Sequence, residues 1–266
     1  LISKPVCRQA GREQLTGNEK EDMNVEQETP TIEKEHLPRH MVIIPDGNRR
    51  WATERGLEPW KGHEEGAKNT EKLIREAKRL GIKEISFWGS SLENLVKRPV
   101  LESKALLRIY ETYFKQLLES DDIHKDEVQI RFIGRWEEQF PASLKEIIHD
   151  CIDATKNYKK HFLNFLLAYS GDDDMRLAFQ KVAKSLPAGG TVTDEMIKEH
   201  LMTRDLPQVD LLIRTGGEPH LSAGFMMWDI ANTQLYFSEE YYPDFNESCL
   251  QEALLNYTLR GRRFGK

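Results

Sequence analysis

The sequence has few cysteines and no long apolar run. Its three cysteines, Cys7, Cys151 and Cys249, are far apart and odd in number, a pattern that indicates neither a disulfide framework nor a zinc cluster. No apolar run approaches the roughly 18 residues that a membrane-spanning helix requires. A positively charged start followed by an apolar core, which is typical of a secretory signal, is also lacking. We therefore expect a cytoplasmic protein.

An excess of positive charge is lacking as well. The 266 residues contain 44 Asp and Glu against 38 Lys and Arg, which gives a net charge of −6. A general nucleic-acid binder needs a broad basic surface to neutralise phosphates, so we expect no nucleic-acid partner, although a local basic pocket fits this composition. The length is ample for one large buried core.

Short apolar runs alternate with segments of helical periodicity from His40 onward. The polar, acid-rich stretch before them predicts a disordered N-terminal tail over residues 1–38, and residues 39–266 form one predicted domain. Strands that alternate with helices predict an α/β fold with a parallel central sheet flanked by helices. The predicted strands are 41–44, 84–88, 128–132, 163–167, 209–213 and 235–237, and the predicted helices are 60–80, 101–118, 142–158, 175–185, 193–202 and 248–259.

Ligands of such sheets bind beyond the carboxyl ends of the strands, which directs attention first to the segment 45–51. Gly47 permits a tight turn there, and Arg49 and Arg50 lie where a helix begins. Backbone N–H groups and guanidinium groups in this arrangement favour an anion, most naturally a phosphate. Asp46 could anchor Mg²⁺ beside that phosphate. The simpler alternative is a turn with solvated arginines.

Two further segments follow predicted strand ends. Residues 89–99 offer short polar side chains and cations, which could equally cap a helix. Residues 214–224 contain an arginine, two glycines, a histidine and a serine, a composition that indicates a second anion site. Two phosphate sites beside one carboxylate, without a zinc motif or a Ser/His/Asp pattern, predict chemistry on two phosphorylated substrates.

The residues around these strand ends resemble the signatures of the cis-prenyltransferases, the undecaprenyl diphosphate synthase family. The resemblance extends in order from about residue 38 to residue 266. It rests on His40–Ala52, Gly62-His63 and Gly66-Ala67, then Ser91, Glu93-Asn94 and Arg98-Pro99 with one extra residue before Arg98, then Asp210–Glu218, Ser222, Trp228, Leu235–Phe237 and Pro243–Phe245, and finally Arg262–Gly265.

This resemblance implies a homodimer with a hydrophobic tunnel that condenses isopentenyl diphosphate with an allylic diphosphate, using Mg²⁺. Asp46 would hold the metal, and the implied catalytic residues are Asp46, His63, Ser91 and Asn94. The implied ligands of the allylic diphosphate are Gly47, Asn48, Arg49, Arg50, Trp51 and Arg98. Those of the isopentenyl diphosphate are Arg214, His220 and Ser222, with Arg263 and Gly265 reaching the site across the dimer.

Three departures from the family pattern fall on functional positions. Gln234 replaces a glutamate that serves as a second carboxylate near the metal, so it would be a weak ligand. His220 replaces an arginine that holds diphosphate, and Pro59 replaces another phosphate-binding arginine.

These departures leave two alternatives to the ordinary reaction. One is irregular coupling, in which a second allylic diphosphate such as dimethylallyl diphosphate is the acceptor. The other is a non-catalytic partner subunit of an active prenyltransferase. A hydrophobic product also suggests peripheral contact with a membrane for delivery.

Overall fold

The computed structural model describes residues 34–260, and its centre is a six-stranded sheet. All neighbouring strands are parallel, in the order β3-β4-β2-β1-β5-β6. This confirms the predicted fold class. The strands are β1 (His40–Ile44), β2 (Glu84–Trp88), β3 (Val128–Ile133), β4 (His161–Leu166), β5 (Leu211–Arg214) and β6 (Gln234–Phe237).

Helices connect the strands, as parallel pairing requires. The six predicted helices are present with shifted ends, and four short helices accompany them. Of these four, the one that begins at Asn48 was expected, and a capped helix before Pro99 was the simpler alternative for residues 89–99. The other two have five and four residues, which is too short for apolar periodicity to be read from a sequence. The helices are α1 (Asn48–Glu54), α2 (Pro59–Leu80), α3 (Leu92–Lys97), α4 (Val100–Glu119), α5 (Asp121–Lys125), α6 (Trp136–Gln139), α7 (Ala142–Thr155), α8 (Gly171–Ser185), α9 (Asp194–His200) and α10 (Glu247–Arg260).

Both faces of the sheet are buried, which explains why β1 is apolar at consecutive positions. Met41 and Ile43 belong to a large apolar cluster with residues of α2, α4, α7 and α10. Val42 and Ile44 belong to a second cluster on the opposite face, with Phe225 among its members. The sheet is therefore a rigid support for the loops at its carboxyl edge.

The first described residues fall inside the segment that we predicted to be a tail. A 3₁₀ helix covers Lys34–His36, whereas residues 1–33 lie outside the described residues, so their disorder stays a prediction. Cys151 is buried and free. None of the helices between residues 34 and 260 is long and apolar enough to cross a membrane.

Candidate active site

The loops after β1 and β5 meet because these strands are neighbours. Ile44 and Arg214 lie side by side at the carboxyl ends of the two strands. Beyond the strand ends, Thr215 joins the two loops through its Oγ1. This hydroxyl accepts a hydrogen bond from the Asp46 N–H at 2.9 Å and donates one to the Asp46 carbonyl oxygen at 2.7 Å. The first and third segments singled out in the sequence therefore form one site.

The Asp46 carboxylate is the centre of this site. Its Oδ2 accepts a hydrogen bond from Arg214 Nη2 at 2.8 Å, and its Oδ1 accepts from the Gly47 N–H at 2.6 Å and from Arg50 Nη2 at 3.3 Å. Arg214 continues to Ser222, with 3.0 Å between Nη1 and Oγ. We call Asp46, Gly47, Arg50, Arg214 and Ser222 the Asp46 cradle. It combines two arginines, one carboxylate and a hydroxyl, a composition suited to phosphate groups with a bound cation.

Two glycines let the backbones approach at this point. Gly47 has a φ of 97° and Gly216 a φ of 86°, values in the left-handed region that favour glycine. A Cβ on Gly216 would lie 2.8 Å from Arg50 Nη2 and 3.0 Å from the Asp46 carbonyl carbon. Side chains at these positions would therefore displace the cradle.

Arg214 is buried, whereas His220 faces solvent. The Arg214 side chain is 5% exposed, and its Nη1 also donates to the backbone carbonyl of His220. The His220 ring is 57% exposed and lies 3.7 Å from the Glu218 carboxylate. His220 thus contributes its backbone to the site, and its ring does not replace an arginine inside the cradle.

Helix α2 packs against the start of α1 through two glycines. A Cβ on Gly62 would lie 1.8 Å from the Asn48 carbonyl oxygen, and one on Gly66 would lie 2.3 Å from Asn48 Oδ1. Asn48 Nδ2 donates to the Pro45 carbonyl at 3.0 Å, which orients its amide. Asn48 Oδ1 is buried and accepts no hydrogen bond from the described residues.

An apolar cavity of about 80 Å³ adjoins the cradle. Pro45 and Asn48, which precede and follow Asp46 and Gly47 of the cradle in the chain, line it, and so does His63. Six phenylalanines and tyrosines line it, Phe87, Tyr110, Tyr113, Phe114, Phe165 and Tyr242. The rings of Tyr110, Tyr113, Phe114 and Phe165 contact one another at centroid distances of 5.2–6.1 Å. A polar site and an apolar space are thereby joined.

The second segment singled out in the sequence has a mixed outcome. Ser91 Oγ accepts a hydrogen bond from the Asn94 N–H at 3.0 Å, so Ser91 caps α3, which was the simpler alternative for this segment. The Asn94 side chain is exposed. The Arg98 side chain is 15% exposed, and its Nε lies 3.5 Å from Glu102 Oε1. Trp51 is turned elsewhere and donates through Nε1 to Asp244 at 2.8 Å.

Sequence reasoning missed Glu102, which faces three of the predicted site residues. Its Oε1 lies 3.4 Å from Arg49 Nε, 3.5 Å from Arg98 Nε and 3.5 Å from His63 Nε2. Contact with His63, and then the charges of the two arginines, hold the pKa of Glu102 below its usual value despite burial. Burial lowers the pKa of His63, opposed in part by Glu102. A signal was present in the spacing, because Glu102 follows Arg98 by four residues.

Gln234 does not join the cradle within this chain. It is the first residue of β6 and pairs with Leu211 at the amino end of β5, whereas Asp46 follows the carboxyl end of β1. Gln234 therefore lies at the amino-terminal ends of the strands and Asp46 beyond their carboxyl-terminal ends. Within this chain, Gln234 offers no second metal ligand beside Asp46. Pro59 is the first residue of α2. Arg263 and Gly265 lie outside the described residues.

The donor set of the cradle fits a metal only together with a substrate. In residues 34–260, no group of three or more His, Cys, Asp or Glu side chains could hold a metal ion. Mg²⁺ commonly takes one or two carboxylates and completes its shell with phosphate oxygens and water. Asp46, beside cationic groups that would hold a diphosphate, fits that kind of site.

Known proteins share this sequence and this fold. The family model described as "Putative undecaprenyl diphosphate synthase" matches residues 44–265. An isoprenyl transferase of Shouchella clausii is 38% identical over 247 residues, which cover 91% of this chain and 94% of the relative. A tritrans,polycis-undecaprenyl-diphosphate synthase (geranylgeranyl-diphosphate specific) of Methanopyrus kandleri is 37% identical, covering 99% and 97%.

A solved structure supports the same assignment. Lavandulyl diphosphate synthase from Lavandula x intermedia, in complex with dimethylallyl diphosphate, matches with a TM-score of 0.79 and 33% identity, covering 87% of this chain and 100% of that chain. The cradle, the adjoining apolar cavity and these similarities agree. The chain belongs to the undecaprenyl diphosphate synthase family of prenyltransferases.

Proposed function

We propose that this chain condenses an allylic diphosphate with isopentenyl diphosphate to form a short cis-prenyl diphosphate, with release of diphosphate. The observation that carries the proposal is the junction of the Asp46 cradle with the apolar cavity, where Pro45, Asn48 and His63 lie in the wall. A substrate with a charged diphosphate and a hydrocarbon chain needs both environments side by side.

The reaction breaks the allylic C–O bond, which leaves negative charge on the diphosphate and positive charge on the allyl carbon. Arg49, Arg50 and Arg98 would stabilise the departing diphosphate electrostatically. The apolar cavity would keep water from the allyl carbon. Asn48, with its free buried oxygen, would orient the allylic diphosphate or its bound cation.

The acceptor diphosphate would bind on the other side of Asp46. Arg214 and Ser222 face this position together, 3.0 Å apart, and the exposed His220 ring could turn toward it. The new carbon–carbon bond forms between the acceptor alkene and the allyl carbon, and a proton then leaves the acceptor. Ser91 and Asn94 would assist that step, since the Ser91 hydroxyl hydrogen remains available while its oxygen caps α3.

Mg²⁺ is part of this proposal. Bound to Asp46 and to diphosphate oxygens, the ion would neutralise charge on the leaving group. The Asp46 carboxylate already contacts Arg50 and Arg214, so it would exchange part of these contacts for the metal. Turnover should therefore cease with a chelator and return with added Mg²⁺.

The size of the cavity supports a short product. Its volume of about 80 Å³ is well below the roughly 300–1,000 Å³ of pockets that enclose a drug-sized ligand. Tyr110, Tyr113, Phe114 and Phe165 fill the space that a longer chain would need. The Methanopyrus kandleri relative is named for an undecaprenyl product. We expect this protein to differ from it in the length of the prenyl chain that it makes.

Two kinds of partner complete the proposal. We expect a homodimer in the cytoplasm, which light scattering of the purified protein would detect. We also expect peripheral membrane contact through Val100 and Leu101, which begin α4 near the cavity and are 69% and 71% exposed. Exposed apolar side chains beside Lys97 and Lys104 suit an anionic lipid surface.

Irregular coupling remains the second candidate. It is favoured by the similarity to lavandulyl diphosphate synthase with bound dimethylallyl diphosphate and by the loss of an arginine at His220. The position of Gln234 adds no support, because this residue lies away from the cradle.

The deciding experiment is a product assay. Purified protein would receive Mg²⁺ and allylic diphosphates of several lengths, with and without isopentenyl diphosphate, and the dephosphorylated products would be identified by mass and NMR. A short linear cis product that requires isopentenyl diphosphate supports the proposal. A branched product from allylic diphosphates alone supports irregular coupling. No product under any condition contradicts both and favours a non-catalytic partner subunit.

A further inference from the structure

A buried carboxylate contacts His63, which lines the apolar cavity, and two arginines that the proposed reaction needs. The Glu102 side chain is 4% exposed. Its Oε1 is 3.4–3.5 Å from nitrogens of Arg49, Arg98 and His63. These four residues, which we call the Glu102 cluster, come from α1, α2, the residue before Pro99 and the first turn of α4.

The contacts in the Glu102 cluster are electrostatic and leave hydrogen-bonding capacity unused. Glu102 Oε1, Arg98 Nη1 and His63 Nε2 are each buried, and none has a hydrogen-bond partner among the described residues. Buried charged groups normally complete their hydrogen bonds, because an unmet donor or acceptor carries the full cost of its desolvation. The charges of the cluster are therefore paired, but several of its hydrogen-bond donors and acceptors are unused. This is expected of groups that exchange one partner for another when a ligand binds.

The arginines of this cluster differ in their freedom to move. Arg49 is 55% exposed and Arg98 is 15% exposed. Arg49 can turn toward a ligand in solvent at little cost, whereas the enclosed Arg98 side chain has less freedom to move. A diphosphate anion bound beside these arginines would compete with Glu102 for both guanidinium groups.

We propose that Glu102 is an internal counter-ion of the allylic diphosphate site. It neutralises Arg49 and Arg98 while the site is empty, and its charge weakens the hold of these arginines on a diphosphate. Release of a diphosphate product is thereby easier, since Glu102 takes over the arginines that the anion leaves. This inference rests on the proposed function for the identity of the ligand.

The sign of the expected effect separates this role from a structural one. If Glu102 only fastened α4 to α1 and α2, its loss would loosen the site and weaken anion binding. As a counter-ion that competes with the ligand, it makes the opposite prediction. Glu102→Gln keeps the shape and removes the charge, so binding of a diphosphate should become tighter.

Titration calorimetry with inorganic pyrophosphate tests this directly on the full-length protein. We expect Glu102→Gln to lower the Kd for pyrophosphate by about tenfold, the effect of removing one nearby like charge. Glu119→Gln is the matched control, because it makes the same change on the exposed last turn of the same helix, and its Kd should equal that of the wild type. In steady-state assays, the KM for the allylic substrate and kcat should fall together in Glu102→Gln, because product release slows.

Three further results keep the test decisive. If circular dichroism shows that Glu102→Gln does not fold, Glu102→Asp takes its place. The shorter side chain increases the distance between the carboxylate and the arginines, so the Kd for pyrophosphate should fall about two- to threefold. An unchanged or raised Kd in the folded variant overturns the counter-ion role while leaving the proposed reaction intact. Failure of the wild type to bind pyrophosphate at all would overturn both.

Discussion

Arg214 and Asp46 form an ion pair, 2.8 Å long, between loops that are 168 residues apart in the chain. The pair exists because β1 and β5 are adjacent parallel strands that end at the same level. The Arg214 guanidinium also reaches Ser222, so one planar side chain links the carboxylate of the first segment to the hydroxyl of the third. The two halves of the site are therefore held in a defined relation before a substrate binds.

This relation predicts that Arg214→Lys impairs use of the acceptor. A lysine keeps the charge but cannot contact Asp46 and Ser222 simultaneously. Hydrogen bonds to charged groups contribute about 1.5–3 kcal/mol, so kcat/KM for isopentenyl diphosphate should fall about 10- to 100-fold. Steady-state kinetics at saturating allylic substrate measures this.

The exposed Arg204, which pairs with Asp205, provides the control for that substitution. Arg204→Lys should leave kcat/KM at the wild-type value. Equal activities of Arg214→Lys and Arg204→Lys would show that the planar side chain is not needed.

Gly62→Ala is expected to destabilise the fold, although alanine favours helices. The added Cβ would lie 1.8 Å from the Asn48 carbonyl oxygen, a backbone atom that cannot rotate away. Overpacking of this kind costs about 1–3 kcal/mol, and in a chain of this size each kcal/mol lowers Tm by about 2–4 °C. Thermal melting followed by circular dichroism measures the change.

The matched variant for this experiment is Lys72→Ala, on the exposed side of α2. Its melting temperature should stay near that of the wild type. A Gly62→Ala protein that melts at or above the wild-type temperature would contradict the close approach of α1 and α2.

Tyr113→Ala should lengthen the product. Tyr113 lines the apolar cavity and also a surface groove between α2 and α4, which shares Ala67 and Ile109 with it. Removing the ring would join the two spaces and admit a longer hydrocarbon. Mass analysis of the dephosphorylated products should show additional five-carbon units.

A second tyrosine substitution, away from the cavity, checks that this effect depends on position. Tyr158→Ala removes a tyrosine that contacts His124 away from the cavity, so it should leave the product distribution unchanged. An unaltered distribution in Tyr113→Ala would mean that another residue limits chain length.

We expect the buried His40 to lower the free energy of unfolding in mild acid. Its ring lies between Ser86 and the Pro207 carbonyl, and burial lowers its pKa, opposed in part by Glu84 and Asp210. As the pH falls below about 6.5, the unfolded chain binds a proton that the folded chain resists, so the free energy of unfolding decreases.

Urea unfolding near pH 7.5 and near pH 5.5 measures this effect through the shift of the midpoint. His40→Asn should be less stable than the wild type at the higher pH, because it loses a ring contact, yet it should lose less stability on acidification. An equal loss in both proteins would assign the acid sensitivity to other groups, such as the buried His63.

The sequence alone was sufficient for the alternation of strands and helices and for the three segments at the strand ends. Apolar runs such as Met41–Ile44 and stripes such as that of α4 are local patterns, and local patterns can be read without a fold. The signatures around Asp46 and Arg214 were likewise contiguous. Ser91 illustrates the limit, since its residue type fits catalysis and helix capping equally, and only the Asn94 N–H contact established the cap.

The linear sequence determined the fold class, the family and the two segments that supply the Asp46 cradle, because each depends on residues close together in the chain. The pairing of β1 with β5 then joined these two segments. Only the tertiary structure decided that Gln234 lies away from Asp46 and that Glu102 faces Arg49, Arg98 and His63. It also decided how little space the aromatic residues leave in the cavity. These features depend on strand order, helix packing and side-chain volume, which arise from contacts between residues that are distant in sequence.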